Sequence, residues 1–244
     1  TLVSSNAATS PSVSIQTAAN LISNLTLSQT TISTGNNLTV CLSITNVGQA
    51  ACNNVTPEIN ITSFYGADYS LVNGPVPGSA SIPGNNGSAH FTWIYSMDSA
   101  GSLNFNARAG GEDANSGTIA YSTYSNRGAT IQTQASLQSS ISAIPEYAGV
   151  GWTITIVMSV TNAGQADAIS VAPSLLISPE SSGTATQISV PSSPVTITGG
   201  SSHSFTWTYS AASTGSVIFS GNAMGSDANN NNALLSAVTT DTTY

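Results

Sequence analysis

Lysine is absent from this chain, and arginine occurs only at Arg108 and Arg127. Two cations cannot grip a run of phosphates, so a nucleic-acid partner is excluded. Charged residues make up 5% of the 244 positions, where an average soluble domain has about a quarter. The formal net charge is −8, yet solubility rests mainly on uncharged Ser, Thr, Asn and Gly. Such a surface changes little with pH and offers almost no trypsin sites, which suits a harsh exterior. Long apolar runs are missing too. The longest, Trp152 to Val160, is short and broken by Thr and Ser, so no membrane-spanning segment is expected. No signal-peptide pattern opens the chain, and Thr1 reads as the start of a processed, mature protein or of a part of one.

Chemistry-bearing motifs are equally scarce. There is no His-Glu-x-x-His, no Gly-rich phosphate loop and no supported Ser-His-Asp spacing. The two histidines, His90 and His203, fall in nearly equivalent places before the same kind of strand and read as strand-start residues. The expectation is a protein without catalytic residues, cofactor or metal. The loops Glu112-Asp113-Ala114-Asn115 and Ser226-Asp227-Ala228-Asn229 recur. They could present oxygens to Ca²⁺, but the favoured reading is a turn whose Asx side chains bond their own backbone. Cys41 and Cys52 are the only cysteines. A hairpin turning at Gly48 would set them nearly opposite one another, which predicts a disulfide and an oxidising compartment, with two free thiols as the alternative. A C-x10-C pair with no histidine nearby makes a poor zinc site.

What the chain does contain is a repeat. Phe91, Trp93 and Tyr95, then Ser96, Gly101, Leu103 and Phe105, recur as Phe205, Trp207, Tyr209, Ser210, Gly215, Val217 and Phe219, at a spacing of about 114 residues. Large aromatics at every second position share one face of a strand. Leu38, Val40, Leu42 and Ile44 are in phase with Ile154, Ile156, Met158 and Val160, and define the inward face of a second strand. The turns Thr45-Asn-Val-Gly-Gln-Ala50 and Thr161-Asn-Ala-Gly-Gln-Ala166 are nearly identical, as expected where a glycine must supply positive φ. About seven strands per unit, separated by Gly, Pro and Asn turns, predict an all-β chain of two tandem immunoglobulin-like β-sandwiches arising by duplication. The expected division is an N-terminal extension at 1–12, a first domain at 13–127 and a second at 128–244. A short linker near 125–129 favours a stiff rod. Ser14-Ile-Gln-Thr17 aligns with Thr130-Ile-Gln-Thr133, so residues 1–12 have no counterpart in the second repeat.

The run T-N-x-G-Q-A, followed by Asn54, Val55 and Pro57, then F-T-W-x-Y-S and G-S-x-x-F, resembles the immunoglobulin-like repeats of prokaryotic surface proteins, the CARDB-type domains among them. With its N-terminal extension, its near absence of charge and its N-glycan acceptor sites, the chain also resembles the subunits of archaeal surface filaments called threads. That resemblance implies an extracellular, heavily N-glycosylated homopolymer. One copy's extension, here with Leu2, Val3, Ala7 and Ala8, would be the donor strand completing the sheet of the next. Five sequons are present, at Asn24, Asn37, Asn54, Asn60 and Asn86, all in the first repeat. The expected partners are therefore copies of itself and covalent N-glycans. An alternative reading is the stalk of a cell-surface adhesin or S-layer-associated protein. A carbohydrate-binding module would have to rely on Tyr65, Tyr69, Tyr121 and Tyr124.

Overall fold

A computed structural model describes residues 12–244, all of whose regular elements are strands. In the first domain these are β1 (Leu21–Leu27), β2 (Thr31–Ser33), β3 (Asn37–Asn46), β4 (Cys52–Phe64), β5 (Asp68–Val76), β6 (Ala80–Ile82), β7 (Gly87–Ser99), β8 (Gly101–Asp113), β9 (Ile119–Tyr121) and β10 (Ser125–Gln132). One sheet has the order β1-β3-β7-β5. The facing sheet runs β2-β10-β8-β4-β6, with β9 also paired to β8. The second domain repeats the plan with β11 (Leu137–Ile144), β12 (Thr153–Asn162), β13 (Ala168–Ile177), β14 (Ala185–Ser189), β15 (Val195–Ile197), β16 (Ser202–Ala211), β17 (Val217–Asp227), β18 (Ala233–Leu235) and β19 (Thr239–Thr243). Its sheets are β11-β12-β16-β14 and β15-β13-β17-β18, with β19 paired to β17. The chain is therefore two immunoglobulin-like sandwiches in tandem.

The repeated aromatics carry both cores. Phe91, Trp93 and Tyr95 on β7, like Phe205, Trp207 and Tyr209 on β16, are buried between the sheets. Tyr95 tilts against Phe105 at 5.9 Å and Tyr209 against Phe219 at 5.0 Å, separations at which ring pairs attract. On β3 the buried residues alternate as the sequence predicts, from Leu38 through Ile44.

The boundary between domains differs from expectation. Residues 125–132 are not a linker but the last strand of the first domain, paired antiparallel to β8 and parallel to β2. The connection is the four residues 133–136. Burial keeps the same phase on both sides of the junction, at Ala129 and Ile131 and again at Ala135 and Leu137, with exposed Thr133 between them, so the phase of the alternation does not mark where one domain ends.

The nearly identical turns after β3 and β12 also have a different cause. Asn46 is fully buried. Its Oδ1 accepts from the Asn20 and Gly48 main-chain N–H at 3.0 and 3.1 Å, while its Nδ2 donates to the carbonyls of Ala50 and Ile82 at 2.8 and 3.3 Å. Asn162 makes the same four bonds, to Ser136, Gly164, Ala166 and Ile197. All four hydrogen-bonding positions of the amide are used. Gly48 and Gly164 are not in the left-handed region. A Cβ there would lie 2.0 Å from the Ala18 carbonyl oxygen or 1.9 Å from that of Gln134. These turns are clamps on the segment that enters each domain. Gln49 and Gln165 complete them by accepting from the Thr17 and Thr133 main-chain N–H at 3.0 and 2.9 Å.

Candidate functional site

The entry clamps set one end of each domain, and there the two domains meet. Asp227, at the end of β17, is fully buried. Its carboxylate accepts from the Ala135 and Asn229 main-chain N–H, both at 2.8 Å, and from the Ser33 hydroxyl, 3.1 Å from each oxygen. Asn229 Nδ2 donates to Ser33 Oγ at 3.0 Å and to Gln132 Oε1 at 2.9 Å, and Gln134 Nε2 donates to the Thr34 carbonyl at 3.0 Å. A crown of Asp227 and Asn229 on the second domain, joined by Gln132 at the end of β10, thus grips a rim, Ser33-Thr34, at the lower end of the first. Hydrogen bonds to an ionised acceptor are roughly twice as strong as neutral ones, so this small joint resists bending.

The first domain carries the same crown at its outer end. Asp113 accepts from the main-chain N–H of Ala19 (2.6 Å), Asn115 (2.9 Å) and Ser116 (2.8 Å), and from the Ser116 hydroxyl (3.0 Å). Asn115 Nδ2 donates to Gln16 Oε1 at 3.0 Å. The Ala19 bond, followed by the others, holds the Asp113 carboxyl below the usual aspartate range. The recurring Asp-x-Asn loops are therefore Asx turns whose oxygens face N–H and O–H donors.

Leading into that crown, Val13 and Ile15 are 86% and 93% exposed. Their counterparts by sequence and by the shared clamp are Ala129 and Ile131 of β10, which are buried. Ile131 sits beside Ile32 and Gly101. The corresponding place in the second domain is a pocket of about 210 Å³, lined by Ala148, Ile154, Gly215, Val217 and Tyr244 among others. Sequence reasoning missed Val13 and Ile15. Their alignment with residues 129 and 131 is visible in sequence, but the expected boundary places residues 128–132 in the second domain, whereas β10 closes the first.

The remaining sequence candidates are placed as follows. Cys41 and Cys52 form no disulfide. Cys41 lies on β3 between Thr26 and Thr92, whereas Cys52 opens β4 on the other sheet, between Ile82 and Asp113. The chain arches from one sheet to the other at this point rather than folding back as a hairpin. Cys41 points away from the core that Val40 and Leu42 enter, and Cys52 points into it. Burial, with the nearby Asp113 and Glu112 charges, pushes the Cys52 thiol up. All five sequon asparagines, Asn24, Asn37, Asn54, Asn60 and Asn86, are exposed. The donor-strand residues Leu2, Val3, Ala7 and Ala8 lie outside the described residues.

His90 Nδ1 is 2.8 Å from Ser43 Oγ, and His203 meets Phe205 edge-on at 4.8 Å. Tyr65 is exposed, and Tyr69 packs on Tyr95. Tyr121 and Tyr124 flank the Arg108 guanidinium, 4.5 Å from each ring, on the outer face of β8. Arg108 pairs with Glu58, which also accepts from the Tyr124 hydroxyl at 3.0 Å. The Arg108 bond holds the Glu58 carboxyl low, and the bond to Glu58 raises the Tyr124 phenol. Among the described residues, no group of three or more His, Cys, Asp or Glu could hold a metal ion, and no helix is long and apolar enough to cross a membrane.

No protein-family profile matches the chain, and no curated protein matches it. Solved structures share the sandwich arrangement at low similarity. They include the Escherichia coli adhesin FdeC, with 15% identity, 88% of this chain covered and a TM-score of 0.38. Red sea bream transglutaminase has 14% identity, 91% coverage and a TM-score of 0.31, and E. coli alpha-2-macroglobulin has 12%, 92% and 0.35. The chain spans 64%, 31% and 16% of those proteins, less than two thirds in each case.

Proposed function

We propose that this chain is a structural, non-catalytic subunit of an extracellular surface filament, in which copies join head to tail by strand addition. The observation that carries this reading is the repeat of Ala129-Thr130-Ile131-Gln132 as Val13-Ser14-Ile15-Gln16. The first set is the closing strand of a sandwich. The second is the same residue pattern lying outside any strand, with its apolar side chains in solvent. Ile15 and Gln16 of one copy take, at the second domain of another, the places that Ile131 and Gln132 hold in the first domain. Val13 and Ser14 fall where Thr243 and Tyr244 lie, so the end of β19 yields as the incoming strand enters. Added strands satisfy a row of backbone groups and bury alternate side chains. The five exposed sequons carry N-glycans on the first domain, and the near absence of ions suits a cell-surface setting.

The test is the full chain with Ile15→Asp, followed by light scattering and negative-stain microscopy. Burying one isoleucine contributes about 2 kcal/mol, so the variant weakens each joint by roughly thirtyfold or more, and filaments shorten to monomers. Equal polymerisation of wild type and variant refutes the role of residues 13–16. The Ser33–Asp227 joint favours a second reading, a rigid spacer in the stalk of a surface adhesin. A wild-type chain that remains a monomeric rod selects that reading over the filament.

A further inference from the structure

The two crowns complete the same Asx turn by different routes. Asp227 takes its hydroxyl across the joint, from Ser33 at 3.1 Å. Asp113 takes one from its own loop, from Ser116 at 3.0 Å. The second crown has Asn230 where the first has Ser116, and Asn230 Nδ2 is buried without a partner while its Oδ1 accepts from the Asn232 N–H. The rims vary in the opposite sense. The Thr130 N–H donates to the Thr30 carbonyl, and the Tyr244 N–H donates to that of Glu146. These matching bonds align Ser33 of the first rim with Gly149 of the second. A hydroxyl is thus supplied by the rim where the crown lacks one, and by the crown where the rim lacks one.

We propose that the Asp113 crown is a docking surface for the Gly149 rim of a second copy, and that a single hydroxyl per joint decides which ends fit. This rests on the head-to-tail reading above. A rim bearing serine, set on the Asp113 crown, brings a second hydroxyl to a carboxylate already filled by Ser116. A glycine rim on the Asp227 crown leaves that carboxylate short of one donor. The fitting order is therefore first domain, second domain, first domain, second domain, as in the chain itself. Gly149 has no left-handed φ, and a Cβ there meets only the Trp152 side chain, at 3.4 Å, so the rim accepts a serine without a backbone clash.

The rule is tested within one chain and between chains. Ser33→Ala lowers the melting temperature of the second domain by about 4–8 °C, the cost of one charge-accepting bond in a domain of this size. Adding Asn230→Ser recovers at least half of that loss. Between copies, Ser116→Asn weakens association about tenfold, and Gly149→Ser in the same chain restores it. Failure of Asn230→Ser to rescue Ser33→Ala overturns the one-hydroxyl rule, whether or not copies assemble. Rescue within the chain, with association indifferent to Ser116→Asn and Gly149→Ser, overturns the choice of partner alone. A wild-type chain that stays monomeric overturns the head-to-tail reading, and the partner with it.

Discussion

Replacing Asn46 by alanine removes one amide and strands four main-chain groups. The Asn20 N–H lies in an exposed segment and regains water. The Gly48 N–H and the carbonyls of Ala50 and Ile82 lie against buried residues and have no replacement. An enclosed group left without a partner costs about 1–3 kcal/mol. Three of them, with partial relaxation, put the loss near 4 kcal/mol, a large share of the 5–15 kcal/mol expected for a domain. Asn46→Leu is equally costly, because volume is not what is missing.

Asn46→Asp keeps both accepted bonds but turns a carboxylate toward two carbonyl oxygens. Its folded pKa is therefore raised, so its stability is greatest in acid and is lost as pH rises through that value. Urea unfolding followed by Trp93 fluorescence and circular dichroism separates these outcomes. Asn162→Ala repeats the experiment in the second domain, where the same four bonds are present. A loss below about 1 kcal/mol for Asn46→Ala, or an Asn46→Asp variant more stable at pH 7 than at pH 4, refutes this reasoning.

Two further outcomes follow from the same geometry. Both thiols titrate in denaturant. In the native protein Cys41 reacts first and Cys52 is protected by burial and by its raised pKa, while a reducing agent leaves intact mass and melting temperature unchanged; an oxidised pair detected by mass overturns the assignment of the two cysteines to opposite sheets. Asp113 has a depressed pKa in the fold, so its contribution is fully present above the unfolded aspartate value of about 4 and fades as pH falls through the folded value. Melting temperature should stay level from neutral pH to about pH 4 and drop below it, and Asp113→Asn should flatten that drop.

Much of the architecture was legible because period-two aromatics and matching turns leave few alternatives. The duplication, the sandwich class and the inward faces of β3, β7, β12 and β16 all follow from side-chain alternation. Alternation does not report which sheet a strand joins, and two expectations failed for that reason. Cys41 and Cys52 have hairpin spacing, yet a five-residue connection between facing sheets and one between paired strands look alike in sequence. Ala129 and Ile131 alternate in phase with Ala135 and Leu137, so the last strand of one domain read as the first of the next. The crown was visible as a repeated Asp-x-Asn, but its partner Ser33 is one serine in a serine-rich chain, and only the fold brings it to Asp227.

The two domains agree wherever packing or main-chain satisfaction constrains them and differ on their outer faces. Opposite Glu58 on β8 stands Arg108, whereas opposite Ser174 on β17 stands Asn222. Tyr121 faces Gly110 in the first domain, and Leu235 faces Met224 in the second. Asn60, a sequon residue, has Leu176 as its counterpart, each paired with the equivalent place on β8 or β17. Neither face is there for stability, since an exposed ion pair contributes roughly 0–1 kcal/mol and exposed Leu176, Met224 and Leu235 gain nothing from water. A partner that held the first face by charge or by ring contacts would find only aliphatic groups on the second. What the domains share is their ends, the clamp, the crown and the closing strand, and shared ends are what stacking one domain on the next requires.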